Sequence, residues 1–170
     1  IDQIEAEVKH DVIAFLTENF RAPEETLGDI RAQFAAYRLC LERLMKILDD
    51  EKIDDLGALV DEILNRSETA MRRAIEAVPD GSYCDSLMVD GFEEPLTIRC
   101  EVRIKGSDLT VDFAGTSPQV ARPINSVLNF TRAYSAYAVK CAFDPSTPNN
   151  DGSFRPVQIT APEGSFLNPR

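Results

Sequence analysis

Tryptophan is absent and histidine occurs once, at His10. Metal binding and acid–base catalysis need converging side chains, usually histidine, cysteine and carboxylates, and a single imidazole leaves little to converge. Asp11 would lie on another face of the same helix, so His10 on its own reads as a surface or helix-packing residue. The cysteines Cys40, Cys84, Cys100 and Cys141 are far apart and form no Cys-x-x-Cys pair. They read as buried free thiols in a reducing compartment, which favours the cytoplasm. Long apolar runs are missing too: charges interrupt each one, and none is long enough to span a bilayer. The acidic start, Ile1-Asp2-Gln3-Ile4-Glu5, lacks the basic and then apolar character of a secretory leader.

Several catalytic signatures are also lacking. No Gly-x-Ser-x-Gly elbow is present, and neither serine nor cysteine has an evident base beside it in sequence. No Gly-x-x-x-x-Gly-Lys or Gly-x-Gly-x-x-Gly turn could cradle nucleotide phosphates, and no alternating oxygen-ligand pattern marks a calcium loop. The acidic group Asp49, Asp50, Asp54 and Asp55 reads as a solvated helix junction. On residues alone, no catalytic residue, metal ligand or cofactor is assigned to this chain.

What is present is an acidic, core-forming polypeptide. The 170 residues are 44% apolar, enough for a single domain, simple or built of two compact pieces. With 29 acidic against 18 basic residues the net charge is −11, which disfavours nucleic-acid phosphates and anionic membranes as partners.

The periodicity predicts helices first and strands afterwards, an α+β chain: an N-terminal antiparallel helical hairpin, then a small mixed β-sheet with one buried helix. Residues 1–17 form an expected leader helix, with Ile4, Val8, Val12 and Phe15 on one side, and residues 1–18 a leader segment. Over 23–50, Leu27, Ile30, Phe34, Tyr37, Leu41, Leu44 and Leu48 are spaced three and four apart, one continuous apolar stripe. Pro23, Glu24 and Glu25 suit a first turn, and Gly28 would let another helix cross closely. A second helix over 53–78 carries Leu56, Val60, Ile63, Met71, Ala74 and Val78. Its short acidic connector implies an antiparallel hairpin over 19–78.

After Pro79-Asp80-Gly81 the pattern turns to strands, and residues 79–170 form the expected α/β region. Residues 82–89 read as a strand. Ile98, Cys100, Val102 and Ile104 alternate with Arg99, Glu101, Arg103 and Lys105, and Gly106-Ser107-Asp108 turns into Leu109, Val111 and Phe113. A largely buried helix is expected over 124–143, capped by Asn125 or Ser126, and a short strand over 157–159. The polar turns hold the candidate contact residues. Thr116 and Ser117 end a strand, Asn125 enters a helix, and Asn149 opens Asn149-Asn150-Asp151-Gly152, a turn first and a ligand loop second.

Taken in order, these segments resemble the hydantoinase B/5-oxoprolinase B-type family. The residues concerned are Arg21-Ala22-Pro23-Glu24-Glu25, Leu27-Gly28-Asp29-Ile30-Arg31-Ala32-Gln33 and Pro79-Asp80-Gly81-Ser82-Tyr83. They continue through Val111-Asp112-Phe113-Ala114-Gly115-Thr116-Ser117-Pro118-Gln119, Pro123-Ile124-Asn125-Ser126, Phe143-Asp144-Pro145, Asn149-Asn150-Asp151-Gly152-Ser153-Phe154-Arg155-Pro156 and Ala161-Pro162-Glu163-Gly164-Ser165. The resemblance covers residues 19–170. It implies a portion of a larger subunit that works with an ATP-using hydantoinase A-type subunit to open cyclic amides or imides such as 5-oxoproline and hydantoins. Related acetone and acetophenone carboxylases share the architecture. ATP and a divalent metal are implied for the full complex, while the family's metal-associated motifs lie upstream of the matched region. On that reading the chain is inactive alone, and Thr116, Ser117, Asn125 and Asn149 lie near a substrate or subunit interface. Self-association through the stripe over 27–48 is an alternative. Residues 1–18, with Lys9-His10-Asp11-Val12-Ile13-Ala14-Phe15, resemble adenylosuccinate lyase instead, and suggest a fused leader.

Overall fold

The computed structural model describes residues 10–170 of the chain. The expected helix over 1–9 and the His10 side chain lie outside the described residues. Four α-helices and a four-stranded sheet are described, in an α+β arrangement. By its own contacts the chain divides into two compact units, Ile1–Leu56 and Gly57–Arg170.

In the first unit α1 (His10–Asn19) contacts α2 (Pro23–Asp50), and the break between them sits where Pro23 forces a restart. Helix α2 starts with Pro23 in its first turn and Glu24 and Glu25 at the positive end of its dipole. Beyond its C-terminus Lys52 adopts φ +53°, and Ile53 N–H reaches back to the Leu48 carbonyl at 3.0 Å, which terminates the helix. Leu27, Ile30 and Phe34 are half-buried, whereas Tyr37, Leu41 and Leu44 are exposed. The close crossing expected at Gly28 is not found: a Cβ there would meet no described atom within 4 Å.

In the second unit α3 (Leu56–Glu76) leads into strands β1 (Gly81–Val89), β2 (Leu96–Lys105) and β3 (Asp108–Asp112), then α4 (Leu128–Phe143) and β4 (Val157–Thr160). The strand order is β1-β2-β3-β4; the first three are antiparallel, and β4 runs parallel to β3 after the crossover through α4. Alternation along β2 sends Val102 and Ile104 to one face, where they join Leu109 and Val111. Met71 and Ile75 of α3 and Val139 of α4 complete this core. The expected division at residues 78–79 therefore falls inside a compact unit, because α3 supplies two of that core's fully buried side chains. Helix α2 lies in the first unit and α3, from Gly57 onward, in the second.

Helix α4 begins at Leu128, four residues later than expected, with Val127 at its N-cap position and no side-chain cap. Neither Asn125 nor Ser126 caps it. Asn125 is engaged by its own loop, and the Ser126 hydroxyl lies 3.1 Å from that of Thr131. One face of α4 buries Thr131, Val139 and Lys140; the opposite face exposes Phe130, Tyr134 and Tyr137.

Candidate functional site

Strand β2 is longer than β3, so its residues 96–100 have no partner in β3. Hydroxyl groups take that place. The Ser117 Oγ accepts the Thr97 N–H at 2.9 Å, while the Ser117 N–H donates to the Thr97 carbonyl at 2.9 Å. The Thr116 Oγ1 accepts the Arg99 N–H and donates to the Arg99 carbonyl, each at 3.2 Å. The intervening turn needs Gly115, whose φ of +89° and close approach to the Arg99 side chain leave little room for a Cβ. Thr116 and Ser117 thus extend the sheet by side chain.

Asn125 closes the next loop. Its Oδ1 accepts the Val120 N–H at 2.9 Å, and its Nδ2 donates to the carbonyls of Val120 and Arg122 at 2.7 and 3.0 Å. The C-terminal segment then binds this region, with Phe166 N–H donating to the Ser117 carbonyl and Ser126 N–H to the Phe166 carbonyl. Phe166 and Leu167 pack on Leu96 as a second small core.

Between the β1–β2 turn and this segment lies a cavity of about 370 Å³, lined by Phe92, Leu96, Ser117, Pro118, Val120 and Arg122 among others. The Arg122 guanidinium stands 5.3 Å from the Phe92 ring centre, a cation–π arrangement. Asn149 is elsewhere. It lines an open groove of about 750 Å³ between α4 and β4, with Arg132, Tyr137, Lys140 and Gln158. Of the four expected contact residues, then, Ser117 lines the smaller cavity, Asn149 lines the groove, and Thr116 and Asn125 line neither.

Two charged constellations were not expected from sequence. On the sheet face opposite the core, Arg103 bridges Glu101 and Asp112, each at 3.2 Å, and the Ser82 hydroxyl donates to Glu101 at 2.6 Å. Hydrogen bonding from Ser82, and then from Arg103, holds Glu101 below the ordinary carboxylate range. Burial pushes Asp112 upward, but the Ala114 N–H and the Arg103 guanidinium outweigh it and hold Asp112 low. The alternation of Arg99, Glu101 and Arg103 along β2 was the available signal, since oppositely charged neighbours on one sheet face pair across strands. The second constellation joins α3 to the segment after α4. Arg72 and Arg155 converge on Glu68, at 2.8 and 3.1 Å, and hold it low. Beside them Asn150 Nδ2 donates to the Ser67 hydroxyl at 2.8 Å, and Gly152 lies against the Leu64 backbone. The Asn149-to-Arg155 motif is therefore a clamp on α3.

Among the described residues no group of three or more His, Cys, Asp or Glu is placed to hold a metal ion. The Glu101–Asp112 carboxylate pair does not fit the divalent metal implied for the full complex, since Arg103 already occupies both. Burial raises the Cys100 thiol, which opposes thiolate chemistry. No described helix is long and apolar enough to cross a membrane.

A family model described as Hydantoinase B/oxoprolinase matches residues 3–170. That range takes in residues 3–18, so the segment resembling adenylosuccinate lyase lies within the same match. A putative D-/L-hydantoinase component of the B type, from Pseudomonas sp. (strain NS671), is 39% identical over 168 residues, covering 91% of this chain and 28% of the relative. The crystal structure of ATP-dependent caprolactamase from Pseudomonas jessenii superposes with a TM-score of 0.82 at 28% identity, over 95% of this chain and 28% of that one. Nucleotide-free acetone carboxylase shares the fold, with a TM-score of 0.77 at 18% identity over 94% of this chain and 23% of that one. The chain spans 28% of the length of that hydantoinase relative and of the caprolactamase chain.

Proposed function

Because the chain belongs to the hydantoinase B/oxoprolinase family, we propose that it is a structural and partner-binding portion of a subunit that opens cyclic amides or imides with ATP. The partner would be an ATP-using hydantoinase A-type subunit, and the substrates 5-oxoproline, hydantoins or related lactams. ATP and the divalent metal belong, on this reading, to the assembled complex.

The observation that carries the reading is how the polar motif residues are used. Thr116, Ser117 and Asn125 direct their hydrogen-bonding atoms to neighbouring backbone, and Ser117 also lines the smaller cavity. Asn149 faces an open groove and is the best placed of the four to touch a substrate or partner.

Affinity capture tests it. The chain should retain a hydantoinase A-type subunit when the two are co-expressed, and the pure chain should release no glutamate from 5-oxoproline and ATP. Turnover by the pure chain would overturn the reading. Self-association is a second reading, favoured by the exposed apolar side chains Tyr37, Leu41, Leu44, Met45 and Ile47 on α2. Light scattering decides it: a strict monomer at high concentration removes it.

A further inference from the structure

Among the described residues, no strand lies along the outer edge of the sheet's first strand. In the strand order β1 has β2 on one side and no described strand on the other, and all of its residues except Val89 are exposed. The hydrogen-bond phase fixes which groups point outward. Thr97 and Arg99 direct their N–H groups to Ser117 and Thr116, on the β3 side of β2. The alternate residues Leu96, Ile98, Cys100 and Val102 therefore face β1, where they pair with Val89, Leu87, Asp85 and Tyr83. Ser82, Cys84, Ser86 and Met88 are left with backbone groups aimed at solvent.

Natural edges are usually blunted by lysine, proline, a bulge or short length. Strand β1 has nine paired residues in unbroken register, no lysine or proline, and a single charged residue, Asp85. It also exposes apolar surface on both faces, with Tyr83 and Leu87 on one and Met88 on the other. The charge is one-sided: from 74 to 98 the sequence has Glu76, Asp80, Asp85, Asp90, Glu93 and Glu94 and no lysine, arginine or histidine. The cations nearby come from other segments. Arg99 stands one strand in, opposite Ser86; Arg103 is held by Glu101 and Asp112; Arg122 lies over Phe92. One outward donor is guarded, since Asp85 Oδ1 accepts the Ser86 N–H at 2.7 Å. A cation arriving beside Asp85 would compete for that carboxylate.

We propose that the β1 edge docks an extended basic strand of a partner polypeptide, in which lysine or arginine alternates with apolar side chains. Backbone pairing supplies the affinity, and the acidic margin selects the charge. This deepens the partner-binding reading above by naming a surface and the chemistry of its occupant.

The test uses the whole chain with a nine-residue Lys–Val alternating peptide, matched to the length of β1. The same peptide with every amide nitrogen methylated keeps the charge and loses its donors. Fluorescence anisotropy should show the unmodified peptide binding at least about tenfold more tightly than the methylated one, and a Glu–Val peptide failing to bind. Hydrogen exchange should slow at Ser82, Cys84, Ser86 and Met88 when the Lys–Val peptide is added. Cys84→Pro removes one outward N–H and should weaken binding about tenfold with the sheet intact, as proline is tolerated on an edge. If that variant fails to fold, exchange on the unaltered chain decides. Equal binding of the methylated peptide, protection elsewhere, or protection of these amides by self-pairing without peptide would each overturn the proposal. Capture of the hydantoinase A-type subunit is scored separately: if it persists while the peptide results fail, only the edge assignment falls.

Discussion

Lys140 Nζ lies 2.8 Å from Asp144 Oδ2, and the two side chains are only 9% and 11% exposed. Burial alone would raise the Asp144 pKa, but Lys140 and Thr147 hold it below the ordinary 3.8. A depressed carboxylate stabilises the native state above its unfolded value, and that contribution fades as pH falls through the lower folded value. Asp144→Asn leaves Lys140 buried without its counter-charge and should cost about 3 kcal/mol near neutral pH. Urea midpoints measured from neutrality down to acid should fall less steeply for the variant; parallel profiles would contradict the assignment.

Gly152→Ala should destabilise the second unit by about 2 kcal/mol or more, because overpacking against a rigid neighbour cannot relax cheaply. The added Cβ would overlap the Leu64 carbonyl, which belongs to a helix backbone and not to a movable side chain. The clamp around it, Asn150 on Ser67 and Arg155 on Glu68, should loosen with it. Faster hydrogen exchange in 63–68 reports that loosening, and an unchanged melting curve would refute it.

Lys52→Gly should do the opposite. Lys52 holds φ +53° at the end of α2, a conformation that costs an L-residue about 1 kcal/mol and glycine almost nothing. Its ion pair with Asp49 spans 3.8 Å between exposed side chains, so its loss counts for little. A higher melting temperature for the first unit is expected by circular dichroism.

Thr116→Val with Ser117→Ala removes two hydroxyls and leaves the N–H groups of Thr97 and Arg99 without acceptors. Each lost partner should cost about 1–3 kcal/mol. The Thr97 and Arg99 amides should exchange faster while those of Ile98 and Cys100 stay protected by β1. Uniform exchange along β2 would show that the hydroxyls do not complete the sheet.

Helix α2 was legible to the residue at both ends, since its apolar spacing, Pro23 and the acidic first turn all act locally. The β2–β3 hairpin was legible for the same reason: alternation and Gly106, at φ +58°, mark a tight turn. Less could be read where the partner is remote. Thr116 and Ser117 were recognised as notable polar residues, but their partners lie 17 and 20 positions away in β2. The contact between Asn150 and Ser67 spans 83 positions, so nothing in the local pattern separates that clamp from a ligand loop. Sequence alone starts α4 too early, because Ile124 and Val127 extend its apolar run. In the fold Asn125 commits them to a closed loop.

Among the described residues, every apolar side chain that the fold removes almost completely from water comes from residue 71 or later. A polypeptide trimmed to begin at Gly57 would therefore keep every described water-excluded anchor, together with the arginine pair on Glu68. The place to cut is the opening turn of a helix, where a search for loops would not look.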